Sequence, residues 1–150
     1  MGHLRGEAHA EIDAPLERVW EVVEDVITAP EWQGGLDGMT ALDRDEHGRP
    51  TLVETVSDIK VRKIKARVRF SYDPPGTLTW KQEKGDLNAL DGWWRLEALG
   101  AERTRATYGL DADTGRVLGM VIRGPVEAGV RALLVNARPG ELKRRVEAAS

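Results

Sequence analysis

Small or apolar residues alternate with polar ones along the first part of the chain, and similar alternation returns in six later segments. From His3 to Ile12, His, Arg and Glu occupy the positions between the small or apolar ones. This period of two predicts a strand with one face in water. The side chains of its inward face are unusually small, because Gly6, Ala8 and Ala10 occupy successive inward positions. That leaves room for a helix or a ligand to approach.

A helix is predicted directly after this strand. The residues from Asp13 to Pro15 end the strand, with the N-cap expected at Asp13 or Ala14 and Pro15 near the first helical position. The helix is expected to end near Ala29, and a second short helical turn to follow at Pro30 to Trp32. The apolar residues that recur at helical spacing are Leu16, Val19, Trp20, Val22, Val23, Val26 and Ile27.

Six more strands and one long helix are predicted after this point. The helical period runs from Pro125 to Ala149, with a kink or break at Pro139, because a proline inside a helix costs about 3 kcal/mol or more. The predicted strands are Met39 to Asp43, Thr51 to Ile59, Lys63 to Tyr72, Leu78 to Gln82, Leu87 to Leu99 and Thr104 to Leu110.

The order of these elements predicts one α+β domain over residues 1–150. We expect a helix-grip fold, in which a curved antiparallel sheet of about seven strands surrounds a long C-terminal helix. Two short helical pieces follow the first strand. A curved sheet that grips a helix often leaves a hollow between them, so an internal cavity is expected.

Composition narrows the classes of function. The 150 residues are 41% hydrophobic and 31% charged, which is typical of a globular chain. The net charge of −3 does not favour nucleic acid as a partner. No apolar run is long enough to span a membrane or to act as a signal peptide, so a cytoplasmic protein without stable membrane insertion is expected. The absence of cysteine excludes disulfides, thiolate metal sites and a cysteine nucleophile.

Known catalytic motifs are missing from the sequence. His3 and His9 share the outer face of one predicted strand at a distance of about 20 Å, and His47 lies in a hairpin loop. We therefore expect no metal site and no cofactor. The chain has three serines and no G-x-S-x-G sequence. These absences favour a protein that is not an enzyme, although the question stays open.

A basic segment carries six Lys or Arg residues between positions 60 and 69. Its preferred interpretation is a solvated sheet face with acidic neighbours across the strands. The alternative is contact with phosphates or anionic lipid headgroups. Glu54 and Asp58 are favoured to face outward as partners of this segment. If Glu54 faced inward instead, its desolvated carboxyl group would be a candidate general acid or base.

Aromatic residues provide the main candidate site. The chain has five Trp, two Tyr and one Phe. Core packing alone would explain buried aromatic rings, but the polar atoms of Trp and Tyr need hydrogen-bond partners, so we favour a cavity lining. Trp93 faces the other way, and Trp32, beside two glycines, is a candidate cap for the cavity mouth or a local hydrophobic plug. The residues predicted by parity to converge on the concave side are Phe70, Tyr72, Trp80, Trp94 and Tyr108.

Four segments in order resemble a known superfamily. They are AEIDAPLERVWEVVEDVITAPEW (10–32), YDPPGTLTW (72–80), LDGWWRLEALGAERTRATYGLD (90–111) and ELKRRVEA (141–148). Together they are similar to the superfamily that groups START lipid-transfer domains, the birch-pollen allergen fold and bacterial polyketide cyclases. The likeness is greatest to the polyketide cyclase/dehydrase-type branch and covers nearly the whole chain.

The resemblance implies the helix-grip fold but does not fix one function. The superfamily includes lipid carriers, quinone-binding proteins, cyclases and hormone receptors, so function depends on the site. The first hypothesis is a carrier or binding protein for a lipid, isoprenoid or polyketide-like molecule. The second is an aromatase/cyclase-like enzyme, with Glu54, Tyr72 and Tyr108 as candidate catalytic residues. The third is a membrane-surface accessory that uses the basic segment. A monomer and a homodimer are both compatible with the sequence.

Overall fold

A computed structural model of the chain describes residues 2–148, which form a seven-stranded antiparallel sheet packed against helices. The α+β helix-grip fold is thereby confirmed. The elements are β1 (Gly2–Ile12), α1 (Leu16–Glu24), a 3₁₀ helix (Val26–Glu31), β2 (Leu36–Arg44), β3 (Pro50–Asp58), β4 (Lys63–Asp73), β5 (Thr77–Gly85), β6 (Ala89–Gly100), β7 (Arg103–Thr114), α2 (Gly115–Val121), α3 (Pro125–Arg131), a π-helical turn (Ala132–Asn136) and α4 (Arg138–Ala148).

The sheet is an antiparallel meander of β2 to β7, and β1 is added at its β7 edge. Its order is β1-β7-β6-β5-β4-β3-β2, so each strand from β2 to β7 pairs with its sequence neighbour. β1 instead pairs antiparallel with β7, from His3 opposite Asp113 to Ile12 opposite Thr104. β7 therefore runs beyond its predicted end at Leu110 to Thr114.

Alternation along β4 shows how the sequence builds the core. Every second residue from Ile64 to Phe70 is buried on the inner face of the sheet, and those between face solvent. The prediction from parity is therefore confirmed here. The buried residues are Ile64, Ala66, Val68 and Phe70, and the exposed ones are Lys63, Lys65, Arg67 and Arg69.

The small inward residues of β1 make room for a helical segment. A Cβ atom on Gly6 would lie 3.2 Å from Val135 Cγ1 and 3.5 Å from the Arg131 side chain. Val135, in the π-helical turn, is completely buried. The C-terminal helices thus pack unusually close to the first strand.

The helix after β1 is shorter than predicted. Pro15 is extended, with φ −64° and ψ 154°, and is the N-cap rather than the first helical residue. α1 ends at Glu24, and the 3₁₀ helix replaces the stretch predicted to continue to Ala29. Pro30 lies inside this 3₁₀ helix. The ring of a proline clashes with the carbonyl group four residues earlier, here that of Val26, which disfavours α-helical geometry in this stretch.

The long C-terminal helix is divided into three pieces, and its break precedes Pro139. The Ala137 N–H donates to the Ala132 carbonyl oxygen at 3.1 Å, five residues back, which is the π-helical pattern. Pro139 lies in the first turn of α4, where a missing N–H removes no hydrogen bond. The predicted end at Ala149 lies outside the described residues. α2 has no predicted counterpart, because seven residues are too few to show a helical period.

Candidate ligand cavity

An apolar cavity of about 140 Å³ lies between the inner face of the sheet and the helices. It extends across two buried clusters of side chains. Near Trp94 it is lined by residues such as Phe70 and Val23, and near Ile64 by residues such as Ile122. Strands, the 3₁₀ helix and the C-terminal helical segments all contribute to its wall.

Aromatic rings form one continuous wall of this cavity. The Trp94 and Tyr108 ring centroids are 4.7 Å apart in an edge-to-face arrangement, and those of Trp80 and Tyr108 are 5.6 Å apart. Phe70 contacts Trp80 at 5.6 Å, and Trp32 contacts Trp94 at 6.3 Å. All five of these residues line the cavity. Such pairs add about 0.5–1.5 kcal/mol each beyond the area that they bury.

Two tryptophans lie flat across glycines of the neighbouring strand. Trp80 is opposite Gly92 in the sheet, and a Cβ atom on Gly92 would lie 2.2 Å from the indole ring. Trp93 covers Gly109 in the same way on the outer face, where its Nε1 donates to Glu7 Oε2 at 3.1 Å. Trp93 therefore faces away from the cavity, as parity predicts. Because Gly92 has no side chain, the Trp80 indole can lie over this strand and form part of the cavity wall.

Tyr72 lies beyond the cavity, although it has the same parity as Phe70. It is near the end of β4, where its hydroxyl donates to the Pro50 carbonyl oxygen at 2.5 Å. Its ring stacks beside Phe70 at 6.3 Å, and the Arg49 guanidinium lies 5.1 Å from the ring centroid. The polar atom of Tyr72 is thus satisfied by the protein. Parity gives the face of a side chain but not how far along the strand the cavity reaches.

Glu54 also lies outside the cavity. Its side chain is exposed on the outer face, with Oε2 3.5 Å from Arg67 Nε. The Asp58 carboxylate accepts a hydrogen bond from the Lys60 backbone N–H at 2.9 Å. The outward position of Glu54 agrees with the favoured interpretation. Of the three candidate catalytic residues, Tyr108 is the one that lines the cavity.

A buried arginine lines the cavity and was not anticipated from the sequence. Arg138 is only 4% exposed. Its Nη1 donates to the Gly34 carbonyl oxygen at 2.6 Å and to Glu141 Oε1 at 3.0 Å, while Glu141 Oε2 accepts from the Gly34 N–H at 2.8 Å. The pair joins α4 to the glycine loop after Trp32. One signal was available: Arg138 lies four residues from both Leu134 and Leu142, so helical spacing places it on the same face as these two apolar residues.

Some polar atoms of the lining have no hydrogen-bond partner among residues 2–148. They are Arg138 Nε, Trp32 Nε1 and Thr114 Oγ1. Buried polar atoms are nearly always paired with protein, water or a ligand. These three atoms lie within side chains of the lining but have almost no accessible surface themselves, so the surface of the cavity is mainly apolar.

The two tyrosines of the chain are expected to ionise only when the protein unfolds. Burial raises the pKa of Tyr108, although the charge and hydrogen bonding of Arg138 oppose this shift, and burial also raises the pKa of Tyr72. The folded state therefore holds more protons than the unfolded state above about pH 10, and stability falls as pH rises through this range. Phenolate absorbance and loss of circular dichroism should follow one alkaline transition. A phenolate signal that precedes unfolding would contradict this.

The basic segment faces outward and pairs with acids across the strands. Lys63 Nζ lies 3.3 Å from Asp37 Oδ2, and Arg69 pairs with Glu83. Surface pairs of this kind contribute about 0–1 kcal/mol each. Among residues 2–148, no group of three His, Asp or Glu side chains could hold a metal ion. Within the same range, no helix has the length and apolar character needed to cross a bilayer.

An open, curved sheet around a C-terminal helix, with an apolar cavity between them, defines the helix-grip class of proteins. The model of the polyketide cyclase / dehydrase and lipid transport family matches residues 12–137. The chain belongs to this family. The comparison with curated proteins found no match.

Solved structures share the fold over nearly the whole chain. A START superfamily protein from Mycobacterium smegmatis has a TM-score of 0.83 at 20% identity, covering 99% of this chain and 100% of that one. A protein from Thermus thermophilus has a TM-score of 0.80 at 22% identity, covering 99% of each chain. The Zhui aromatase/cyclase of Streptomyces sp. R1128 has a TM-score of 0.74 at 23% identity, covering 99% of this chain and 98% of its own. The fold is compatible with ligand binding or with aromatase/cyclase-type activity.

Proposed function

We propose that the chain binds a hydrophobic or aromatic small molecule in its internal cavity, as a carrier or binding protein. The observation that carries this proposal is the cavity itself, about 140 Å³ and walled by Trp32, Trp80, Trp94 and Tyr108. Binding sites for small molecules are typically concave and apolar, with a few placed polar groups. Tyr108, Thr55 and Ser57 are polar residues of this lining.

The volume limits the size of the ligand. A cavity of about 150 Å³ can hold benzene, whereas pockets for drug-sized ligands span about 300–1,000 Å³. At about 140 Å³, the cavity suits a ligand of about one ring. A longer lipid or polyketide chain would require the lining side chains to move apart.

A second candidate function is an aromatase/cyclase-type reaction on a polyketide. Tyr108 supports it, since this candidate acid lies against the cavity beside Arg138, with the guanidinium carbon 6.0 Å from its ring centroid. A general base needs a pKa near the working pH, whereas burial raises the pKa of Tyr108. Tyr108 is therefore suited to donating a hydrogen bond rather than to removing a proton. This favours binding over catalysis.

Filling the cavity should weaken binding strongly. Ala112 is buried, lines the cavity and lies opposite Leu90 in the sheet. We expect Ala112→Leu to weaken binding of toluene at least about tenfold, because the added carbons occupy space that the probe needs. Titration calorimetry measures the affinity, and thermal unfolding shows whether the variant is folded.

Ala101→Leu is the matched control, since Ala101 lies exposed in the turn between β6 and β7. It should bind like the unmodified protein. Equal binding by both variants, or no binding of toluene by the unmodified protein, would refute the proposed function. If the proposal holds, mass spectrometry of a solvent extract of the purified protein should identify the natural ligand.

A further inference from the structure

α2 is a short helix with apolar side chains on both of its faces. Leu118 points inward and is buried in the cluster at the Ile64 end of the cavity. Val117, Met120 and Val121 lie on the opposite face, because residues three and four positions apart are neighbours on a helix. These three residues, which we call the α2 patch, are 74%, 62% and 47% exposed. A helix that is apolar on all sides is usually covered on all sides, so the α2 patch is suited to contact with a further surface.

The turn between β3 and β4 adds exposed residues at the same end of the cavity. Ile59, at the start of this turn, belongs to the same buried cluster as Leu118. Val61, two residues later, is exposed, and so are Lys60 and Arg62 on either side of it. Both segments therefore present apolar and basic side chains at this end.

The charges next to the α2 patch are positive and unpaired. Arg116 lies in the first turn of α2, and Arg123 comes two residues after its end. Both are exposed, and neither side chain has an ion pair or hydrogen bond to another of residues 2–148. The chain has no acidic residue between Asp113 and Glu127, although its net charge is −3. A negatively charged surface would complement this face.

β4 differs from α2, although more cations lie along it. Arg67 and Arg69 are paired with Glu54 and Glu83. No large apolar residue of this strand is exposed. Exposed apolar side chains and unpaired cations therefore occur together at α2 and not along β4.

An anionic lipid surface fits this face better than a second copy of the chain. Interfacial segments bury apolar side chains among lipid headgroups and place Lys or Arg against anionic lipids. A stable contact between two proteins takes about 20–30 residues from each side, far more than the α2 patch provides. In a two-fold contact the arginines of the two helices would also approach one another, with no carboxylate on α2 to separate them.

We propose that the protein docks reversibly on anionic membranes through α2, with the α2 patch in the headgroup region and Arg116 and Arg123 against lipid phosphates. The contact is peripheral, since the seven residues of α2 are too few to span a bilayer. It brings the Ile64 end of the cavity to the lipid surface. The inference goes beyond the proposed function and does not depend on it, because toluene binding is measured without lipid.

Co-sedimentation of the full chain with vesicles tests this docking. Each Lys or Arg near an anionic leaflet strengthens binding by about fivefold. The protein should therefore partition at least about tenfold more strongly onto phosphatidylcholine vesicles that contain phosphatidylserine than onto phosphatidylcholine alone. High salt should remove most of this difference, because it screens charges at a surface.

Two combined variants connect the binding to α2. Arg116→Gln with Arg123→Gln should weaken binding to the anionic vesicles at least about tenfold, since two cations are lost. Val117→Ser with Met120→Ser and Val121→Ser should also weaken it at least about tenfold, because less apolar surface enters the headgroup region. Thermal unfolding should stay nearly unchanged in both variants, since all five residues are exposed.

Matched variants elsewhere on the surface are the controls. Arg67→Gln with Arg69→Gln removes two cations from β4, and Leu42→Ser with Leu99→Ser removes two exposed apolar side chains from β2 and β6. Both should bind the anionic vesicles nearly as well as the unmodified protein.

A fluorescent label reports whether α2 enters the lipid. Because the chain has no cysteine, Val117→Cys provides a single site for an NBD label. Its emission should shift to shorter wavelength with anionic vesicles, since the label moves from water into apolar surroundings. The same label at Leu42→Cys should not shift.

Several results would overturn the inference. It is wrong if the unmodified protein does not bind the anionic vesicles, or if the β4 variant loses as much binding as the α2 variants. It is also wrong if the α2 patch variant converts a dimer to a monomer in light scattering while vesicle binding is unchanged, because the face would then join two copies. In each case continued binding of toluene would leave the proposed function standing. Loss of toluene binding with vesicle docking intact would remove the proposed function alone.

Discussion

Replacing Gly92 by alanine is expected to destabilise the protein by about 2–3 kcal/mol and to disrupt the cavity wall, because overpacking a close contact displaces side chains or backbone. The new Cβ atom would lie 2.2 Å from the Trp80 indole, a distance at which one of the two must move. Trp80 contacts both Phe70 and Tyr108, so its displacement would disturb the whole aromatic wall. Urea denaturation measures the loss in stability, and probe titration measures the loss in binding.

Two other glycines provide the controls for this prediction. Gly100→Ala, in the same strand, should be nearly neutral, because no heavy atom of the described residues lies within 4 Å of the added Cβ. Gly109→Ala creates the same clash with Trp93 on the outer face, where the ring can swing into solvent. It should cost less stability and leave binding intact. If Gly92→Ala binds the probe normally, Trp80 is not held in place by this contact.

Breaking the buried ion pair should have the largest effect on stability. In Arg138→Met, Glu141 would remain almost buried without its cation, and removing one member of such a pair typically costs about 3–5 kcal/mol. The Gly34 carbonyl oxygen would also lose its partner. The midpoint of urea unfolding should therefore fall strongly, without a large change in slope if folding remains two-state.

Two comparisons distinguish a buried pair from an ordinary surface contact. Arg138→Met combined with Glu141→Leu should recover part of the lost stability, because no unpaired charge remains buried. Arg145→Met removes the exposed contact to Glu31 at 2.8 Å and should cost no more than about 1 kcal/mol. A single Arg138→Met variant as stable as Arg145→Met would show that the pair is solvated.

Much of the fold could be predicted because the sheet obeys a simple period. On β4, alternation alone identified the buried residues, including Phe70. It also separated Trp94, which lines the cavity, from Trp93, which bonds to Glu7 outside. The strand order could also be predicted, because most strands pair with their sequence neighbours through short turns.

Features that depend on tertiary contacts were harder to predict. Pro139 indicated an interruption of the last helix. The observed interruption is the π-helical turn before Pro139, where Val135 packs closely against Gly6. The sequence alone does not show this contact. Tyr72 has the right parity yet lies past the end of the cavity. The spacing of Arg138 from Leu134 and Leu142 was a signal of its burial, but its contact with Gly34, about 100 residues earlier in the chain, could not be foreseen.

The pairing of β1 with β7 has a consequence for how the protein is made. Partners such as Ile12 and Thr104 lie roughly 100 residues apart in the chain, and contacts of such long sequence separation form slowly. During synthesis β1 emerges early, but its only neighbouring strand among the described residues emerges much later. Its Gly- and Ala-rich inner face, with little apolar surface to expose, suits a strand that must stay unpaired and free of aggregation until β7 and the C-terminal helices arrive.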